Sequence, residues 1–311
     1  MPLVTDFETI LPKNRLSFTA AGPVLVVSFD NAVAAQRRAP NRRAWGHGFF
    51  LQEGHSVLGV MADDTDWFRC PALHASLLAL RDQGFFQNFA QVVMTGTSMG
   101  GFGAAAFSSL APGCRVISYT PQSTLHADLV PWETNHGKGR RQRWDGLFND
   151  AAVESRQAAE VYLFYDPFHS EDRRHAARFT GENVRHLRSP LLGHGLPEAF
   201  DAMGLLKEVF RKASTGTLDN AWFYSEMRAR KTLPKYHKEM LQALARHRHL
   251  KTGAAVARRA FETFADPFFA EREALFTAAT GNILQAMNQV DRLARAQRLR
   301  NRARAETPER D

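Results

Sequence analysis

The chain has 311 residues, 40 Lys and Arg against 32 Asp and Glu, and is 44% hydrophobic and 11% aromatic. That length supports one large domain with a core, or a main domain with an appendage, and the composition excludes wholesale disorder. There is no run of about 18 apolar residues, no basic-then-apolar leader at the start, and only Cys70 and Cys114 for any disulfide, so a cytoplasmic protein without a membrane span is expected. Taken in chain order, strand-like apolar runs are expected at 24–29 and 56–61, then a helix at 71–83. A strand at 91–95 leads directly into a helix at 99–110. Strands at 115–119 and 160–165 follow, then a helix at 172–180, a weaker strand at 183–187 and a helix at 196–211, where Leu196, Phe200, Met203, Leu206 and Phe210 fall close to one stripe. Near-continuous apolar strands imply a sheet covered on both faces, and alternation with helices predicts a doubly wound α/β domain with mainly parallel pairing.

Strand patterns stop near residue 212. Up to there the chain carries 22 basic and 21 acidic side chains; residues 213–311 carry 18 and 11. We therefore expect an α/β domain over 1–212, with an insert or lid at about 121–158. A basic, all-α extension over 213–311 is expected to follow, with helices at 221–249, 252–264, 268–279 and 281–304. Six arginines between Arg292 and Arg304 could contact a partner protein, an oligomer surface or a polyanion. The same arginines also suit the solvated C-terminal end of a helix. Aromatic residues do not alternate with them, so nucleic acid is not expected.

The segment richest in chemistry is Gly96-Thr97-Ser98-Met99-Gly100, between a strand and a small-residue helix. A serine on a sharp strand-to-helix turn projects its hydroxyl above the sheet, and the helix start offers unpaired N–H groups to a developing oxyanion. A turn used only for close packing or for phosphate is the competing reading. No Gly-Lys-Ser/Thr follows, however, and no Gly-x-Gly opens the first helix, which argues against both nucleotide-binding loops.

These residues resemble the nucleophile elbow of the α/β-hydrolase superfamily, and the likeness extends over roughly residues 20–212. It implies an α/β-hydrolase-type sheet, Ser98 as nucleophile and the Met99 N–H as one oxyanion donor. It further implies a base and an acid that follow in the order serine, acid, histidine. His194, between Gly193 and Gly195 after the last strand, fits the base. Asp166 closes the preceding strand and is the favoured acid; Asp172 is the alternative, although an N-cap role would also explain it. A second oxyanion donor is expected from Phe29 or Asp30. Gln122 and Trp144 of the insert are candidate substrate contacts, and the segment Trp45 to Phe50 either lines the pocket or forms an apolar hairpin.

His169, Asp172 and His175 are spaced as ligands on one helical face, but this is more often a surface pattern, so neither metal nor cofactor is expected. The expected activity is that of a serine esterase or related acyl hydrolase, working through an acyl-enzyme on Ser98. A loose likeness to bacterial hydrolases of surface-glycan machinery suggests acylated carbohydrate as substrate. The alternative is an acyltransferase or a non-catalytic hydrolase fold whose basic tail binds a partner or polyanion.

Overall fold

A computed structural model describes residues 5–36, 42–282 and 286–287. Its centre is an eight-stranded sheet of β1 (Phe7–Ile10), β2 (Asn14–Thr19), β3 (Val24–Phe29), β4 (Ser56–Ala62), β5 (Gln91–Thr97), β6 (Arg115–Tyr119), β7 (Glu160–Tyr165) and β8 (Val184–Arg188). The spatial order is β1-β2-β4-β3-β5-β6-β7-β8. β1 and β2 pair antiparallel and β2 runs antiparallel to β4; every later pairing is parallel. This is a doubly wound, mainly parallel sheet of α/β-hydrolase type. The chain reverses its direction of travel at β3, so the carboxyl ends of β3 and β5 flank the crevice where such sheets hold ligands.

The five apolar strands, β3 to β7, lie where their β-branched runs place them, and the weaker sixth is β8. The leading hairpin, β1 and β2, was not apparent, because β2 alternates Leu16 and Phe18 inward with Arg15, Ser17 and Thr19, as a half-covered strand does.

Helices α1 (Ala32–Ala35), α2 (His47–Gln52), α3 (Pro71–Asp82), α4 (Met99–Ala106), α5 (Gly137–Arg140), α6 (Ala151–Glu154), α7 (Ser170–Ala176), α8 (Leu196–Ala202), α9 (Leu206–Thr215) and α10 (Asn220–Glu226) cover the sheet. All eight residues of α4 are buried. Rings of Phe29, Phe68, Phe107 and Phe148 run in contact from β3 into the insert, with centroids 4.5 to 5.6 Å apart along the chain Phe68–Phe29–Phe107–Phe148.

Four expectations about the elements need correction, three here and one in the second unit. The helix expected at 196–211 is two helices, because Gly204 takes φ +72° between them. Trp45 to Phe50 is no hairpin: His47–Gln52 is the short helix α2, and Trp45 rests on the rings of Phe50 and Tyr119. The chain falls into two compact units that meet after Met227 in sequence, not at 212. α10 belongs to the first of them because Phe223 packs on Phe164 and Phe200.

The second unit has its own fold of α11 (Pro234–Arg246), α12 (Leu250–Phe264) and α13 (Pro267–Ala279), with Leu241, Ala257, Ala260, Phe269 and Phe276 at its centre. The single helix expected over 221–249 is interrupted, since Pro234 starts a new helix at its first position. The arginines from 292 to 304 lie outside the described residues.

Candidate active site

β5 delivers Ser98 at φ 55°, ψ −118°, backbone that a non-glycine residue holds only when its surroundings force it. Two constraints do so. The Ser98 N–H donates to Tyr119 O of β6 at 2.8 Å, and its carbonyl accepts from Phe102 N of α4 at 2.9 Å. On the other side α4 is pressed against the end of β3: a Cβ on Gly100 would lie 2.4 Å from Phe29 O and 2.8 Å from Asp30 O. Gly100 is thus demanded by the end of β3, and Gly96 by the elbow itself, since a Cβ there would lie 2.3 Å from Gly100 O. Ser98 Oγ itself has no hydrogen-bond partner among the described residues.

His194 sits on the loop after β8, and Asp166 shapes that loop. The Asp166 carboxylate accepts from Leu192 N at 2.9 Å, Gly193 N at 2.7 Å and Phe168 N at 2.9 Å, so both its oxygens are committed to backbone. The carboxylate that meets the imidazole is Asp172, with His194 Nδ1 at 2.9 and 3.1 Å from its two oxygens. Nδ1–H therefore donates to Asp172, which leaves Nε2 with the free lone pair. Asp172 is 2% exposed while the His194 ring remains 37% exposed. Burial pushes the Asp172 carboxyl up, but hydrogen bonds from His169 and His194 outweigh it and hold Asp172 below the usual carboxylate range. The residue at the N-cap position of α7 is His169, not Asp172; its Nδ1 stands 3.3 Å from Asp172 Oδ1 and 3.4 Å from Asp172 N, and as a donor to the carboxylate it cannot also accept from that N–H.

The elbow and the histidine loop share one anchor. Thr120 follows Tyr119, which accepts from Ser98 N, and Thr120 Oγ1 donates to His194 O at 3.0 Å. The Met99 N–H opens α4 and so has no intrahelical acceptor. Of the β3 candidates, the Asp30 N–H is taken by Val60 O at 3.2 Å, and Phe29 is a ladder residue paired in register with Val60 and Gly96. The next residue, Asn31, caps α1 with its side chain. Its N–H carries no hydrogen bond among the described residues. Sequence reasoning passed over Asn31, though its place directly after the strand was a signal.

Gln122 and Trp144 are both tied to the protein. Gln122 Oε1 accepts from Trp67 Nε1 at 3.1 Å, and Trp144 donates to Gly139 O at 2.8 Å while packing on Phe102 of α4. Sequence reasoning also gave His136 no role. Its ring packs on Trp67 at 5.0 Å between centroids. Burial draws its pKa below the ordinary imidazole value, and although nearby Glu133 opposes this, His194 adds to it.

His175, expected beside His169 and Asp172, turns instead into a sealed network. It accepts from Ser123 N at 3.1 Å and donates to Glu133 at 3.1 Å, which fastens the insert to α7. Among the described residues the group able to hold an ion is His169, Asp172 and His194, whose ligand atoms lie within 4.8 Å of one another.

No protein-family model matches the chain, and no curated protein sequence matches it. Solved structures do resemble it. The capsule O-acetyltransferase of Neisseria meningitidis serogroup A is 12% identical, over 67% of this chain and 93% of that one, with a TM-score of 0.43. An acetyl ester-xyloside bifunctional hydrolase from Caldicellulosiruptor lactoaceticus is 15% identical over 66% and 89%, TM-score 0.44. A thermostable carboxylesterase cloned from a metagenomic library is 16% identical over 69% and 89%, TM-score 0.42.

Proposed function

Starting from an α/β-hydrolase-type fold, we propose that this protein is a serine esterase that cleaves acyl esters through an acyl-enzyme on Ser98. The observation that carries the reading is the Asp172–His194 hydrogen bond, on a loop that Thr120 ties to the strand end holding Ser98. His194 Nε2 takes the hydroxyl proton as Ser98 Oγ attacks the carbonyl carbon, and Asp172 stabilises the imidazolium that forms. The Met99 N–H, with that of Asn31, receives the oxyanion. Collapse expels the alcohol, which leaves with the proton from His194, and a water then repeats the sequence to release the acid. The serine–imidazole hydrogen bond closes when substrate binds, as catalytic hydrogen bonds often do. Asp166 acts at one remove, by fixing the backbone of Leu192 and Gly193.

Acylated carbohydrate is the substrate class we favour, with water rather than a second alcohol as acceptor. A fluorophosphonate should label the wild type and not Ser98→Ala, and p-nitrophenyl acetate turnover should fall about 10⁶-fold in that variant. Equal labelling of a folded Ser98→Ala protein, or a folded wild type that neither labels nor turns over ester, defeats the proposal. A panel of O-acetylated sugars with and without an alcohol acceptor then separates hydrolysis from transfer.

A further inference from the structure

The acid of the proposed triad serves two imidazoles, not one. His169 Nδ1 lies 3.3 Å from Asp172 Oδ1, on the same carboxylate that His194 Nδ1 approaches at 2.9 Å. The His169 and His194 rings stand 5.7 Å apart between centroids. Glu171 adds negative charge at the rim, with Oε2 3.8 Å from His169 Nδ1. Both imidazoles are 37% exposed, so an ion can reach them from solvent, while Asp172 beneath them is buried.

A tetrahedral zinc ion with bonds of about 2.0–2.1 Å holds its ligand atoms about 3.3–3.4 Å apart. The separations of Asp172 from the two rings, 2.9 and 3.3 Å, are already close to that spacing. Two imidazole nitrogens and one carboxylate are also the donor set that zinc favours over magnesium or calcium. His175 cannot join them, because Ser123 and Glu133 occupy both of its nitrogens.

We propose that His169, Asp172 and His194 form an inhibitory site for a zinc-class divalent cation. The binding half stands on this geometry alone; the inhibition rests on the esterase reading. When the ion binds, His194 Nδ1 gives its lone pair to the metal and the ring proton moves to Nε2 through solvent. No electron is transferred and no proton is lost from the neutral ring. Nε2 then carries a hydrogen and has no lone pair with which to take the Ser98 proton. Asp172 is at the same time withdrawn from the imidazole.

The binding arm uses full-length Ser98→Ala protein, titrated with zinc chloride against a chromophoric zinc chelator. We expect one tight zinc per chain, weakened about tenfold or more by adding His169→Asn or Asp172→Asn and unaltered by adding His237→Asn. Zinc should also shield His169 and His194 from diethylpyrocarbonate in the unmutated chain, read by peptide mass spectrometry, a measurement that needs no variant to fold. Equal zinc affinity with and without His169→Asn, or no shielding of these two histidines at saturating zinc, overturns the site. The activity arm measures ester turnover with and without zinc, then with excess EDTA. Reversible loss in the wild type, with the inhibitory concentration raised about tenfold or more in His169→Asn, supports the inhibition. Full activity with the site filled overturns it. Absence of any turnover in zinc-free wild type counts against the esterase reading and leaves the binding result standing.

Discussion

Two aspartates near the histidine loop do different work, and substitution separates them. Asp172→Asn removes the acceptor that fixes the His194 tautomer, so kcat should drop about 10³–10⁴-fold with little change in KM. Asp166→Asn breaks a carboxylate that accepts three backbone N–H groups. It should cost about 2 kcal/mol of stability and reduce kcat at least tenfold less than Asp172→Asn. A larger kcat loss in the Asp166 variant would reverse the assignment. Sequence order had favoured Asp166, at the end of a strong apolar strand. What it could not show is that backbone N–H groups some 26 residues further on would consume that carboxylate.

Asp66 offers a separate test through pH. Burial raises its pKa to about 6, and one oxygen has no hydrogen-bond partner. A carboxyl raised in the folded state holds its proton more tightly folded than unfolded. Its contribution is therefore greatest at low pH and falls as pH climbs from about 4 through 6. Urea titrations should find the stability of Asp66→Asn, relative to wild type, rising by about 2–3 kcal/mol between pH 4 and 7.5. A flat difference across that range would contradict the raised pKa.

At the level of elements, the break between α8 and α9 depends on Gly204. Its φ is +72° and a Cβ there would meet nothing within 4 Å. Gly204→Ala should therefore cost about 1–2 kcal/mol through backbone strain alone, visible as a lowered Tm without loss of esterase turnover. The insert depends on Arg69. Its guanidinium donates to the carbonyls of Arg143, Asp145, Leu147 and Phe148 and lies over the Trp144 ring at 5.1 Å. Burial lowers its pKa to about 10, so it remains charged at neutral pH. Arg69→Ala should destabilise the protein by about 3 kcal/mol or more and open residues 143–148 to protease. Lysine should restore only part of this, because an ammonium lacks the planar fork. Protease resistance unchanged in Arg69→Ala would show that other contacts hold the insert. The aromatic content of the insert was legible in the sequence. The arginine that clamps it stands 74 to 79 residues upstream of the carbonyls it holds, and no local pattern connects the two.

For the whole molecule, each unit has a core of its own, and every residue of the proposed site lies before Met227. A chain ending at residue 227 should fold cooperatively and keep Ser98-dependent ester turnover within a few-fold of the full protein. Failure to fold would make the helical unit part of the folding core. The parallel sheet was readable because five of its strands, β3 to β7, are apolar along nearly their whole length, and the elbow because its Gly-x-Ser-x-Gly pattern is contiguous in the chain. The pairing of Asp172 with His194 emerged only from long-range packing.

Ser98 is gripped by the strands on either side, through Tyr119 O and through the fit of Gly100 against the ends of Phe29 and Asp30. The insert is held by side chains instead: the Arg69 clamp, and Leu125, Trp144 and Phe148 packed into the core. The elbow is thus fixed by main-chain geometry, whereas the insert depends on the identity of side chains that substitution can alter. Directed evolution toward a new acyl or alcohol preference should accumulate its changes between residues 121 and 158 and leave the elbow untouched.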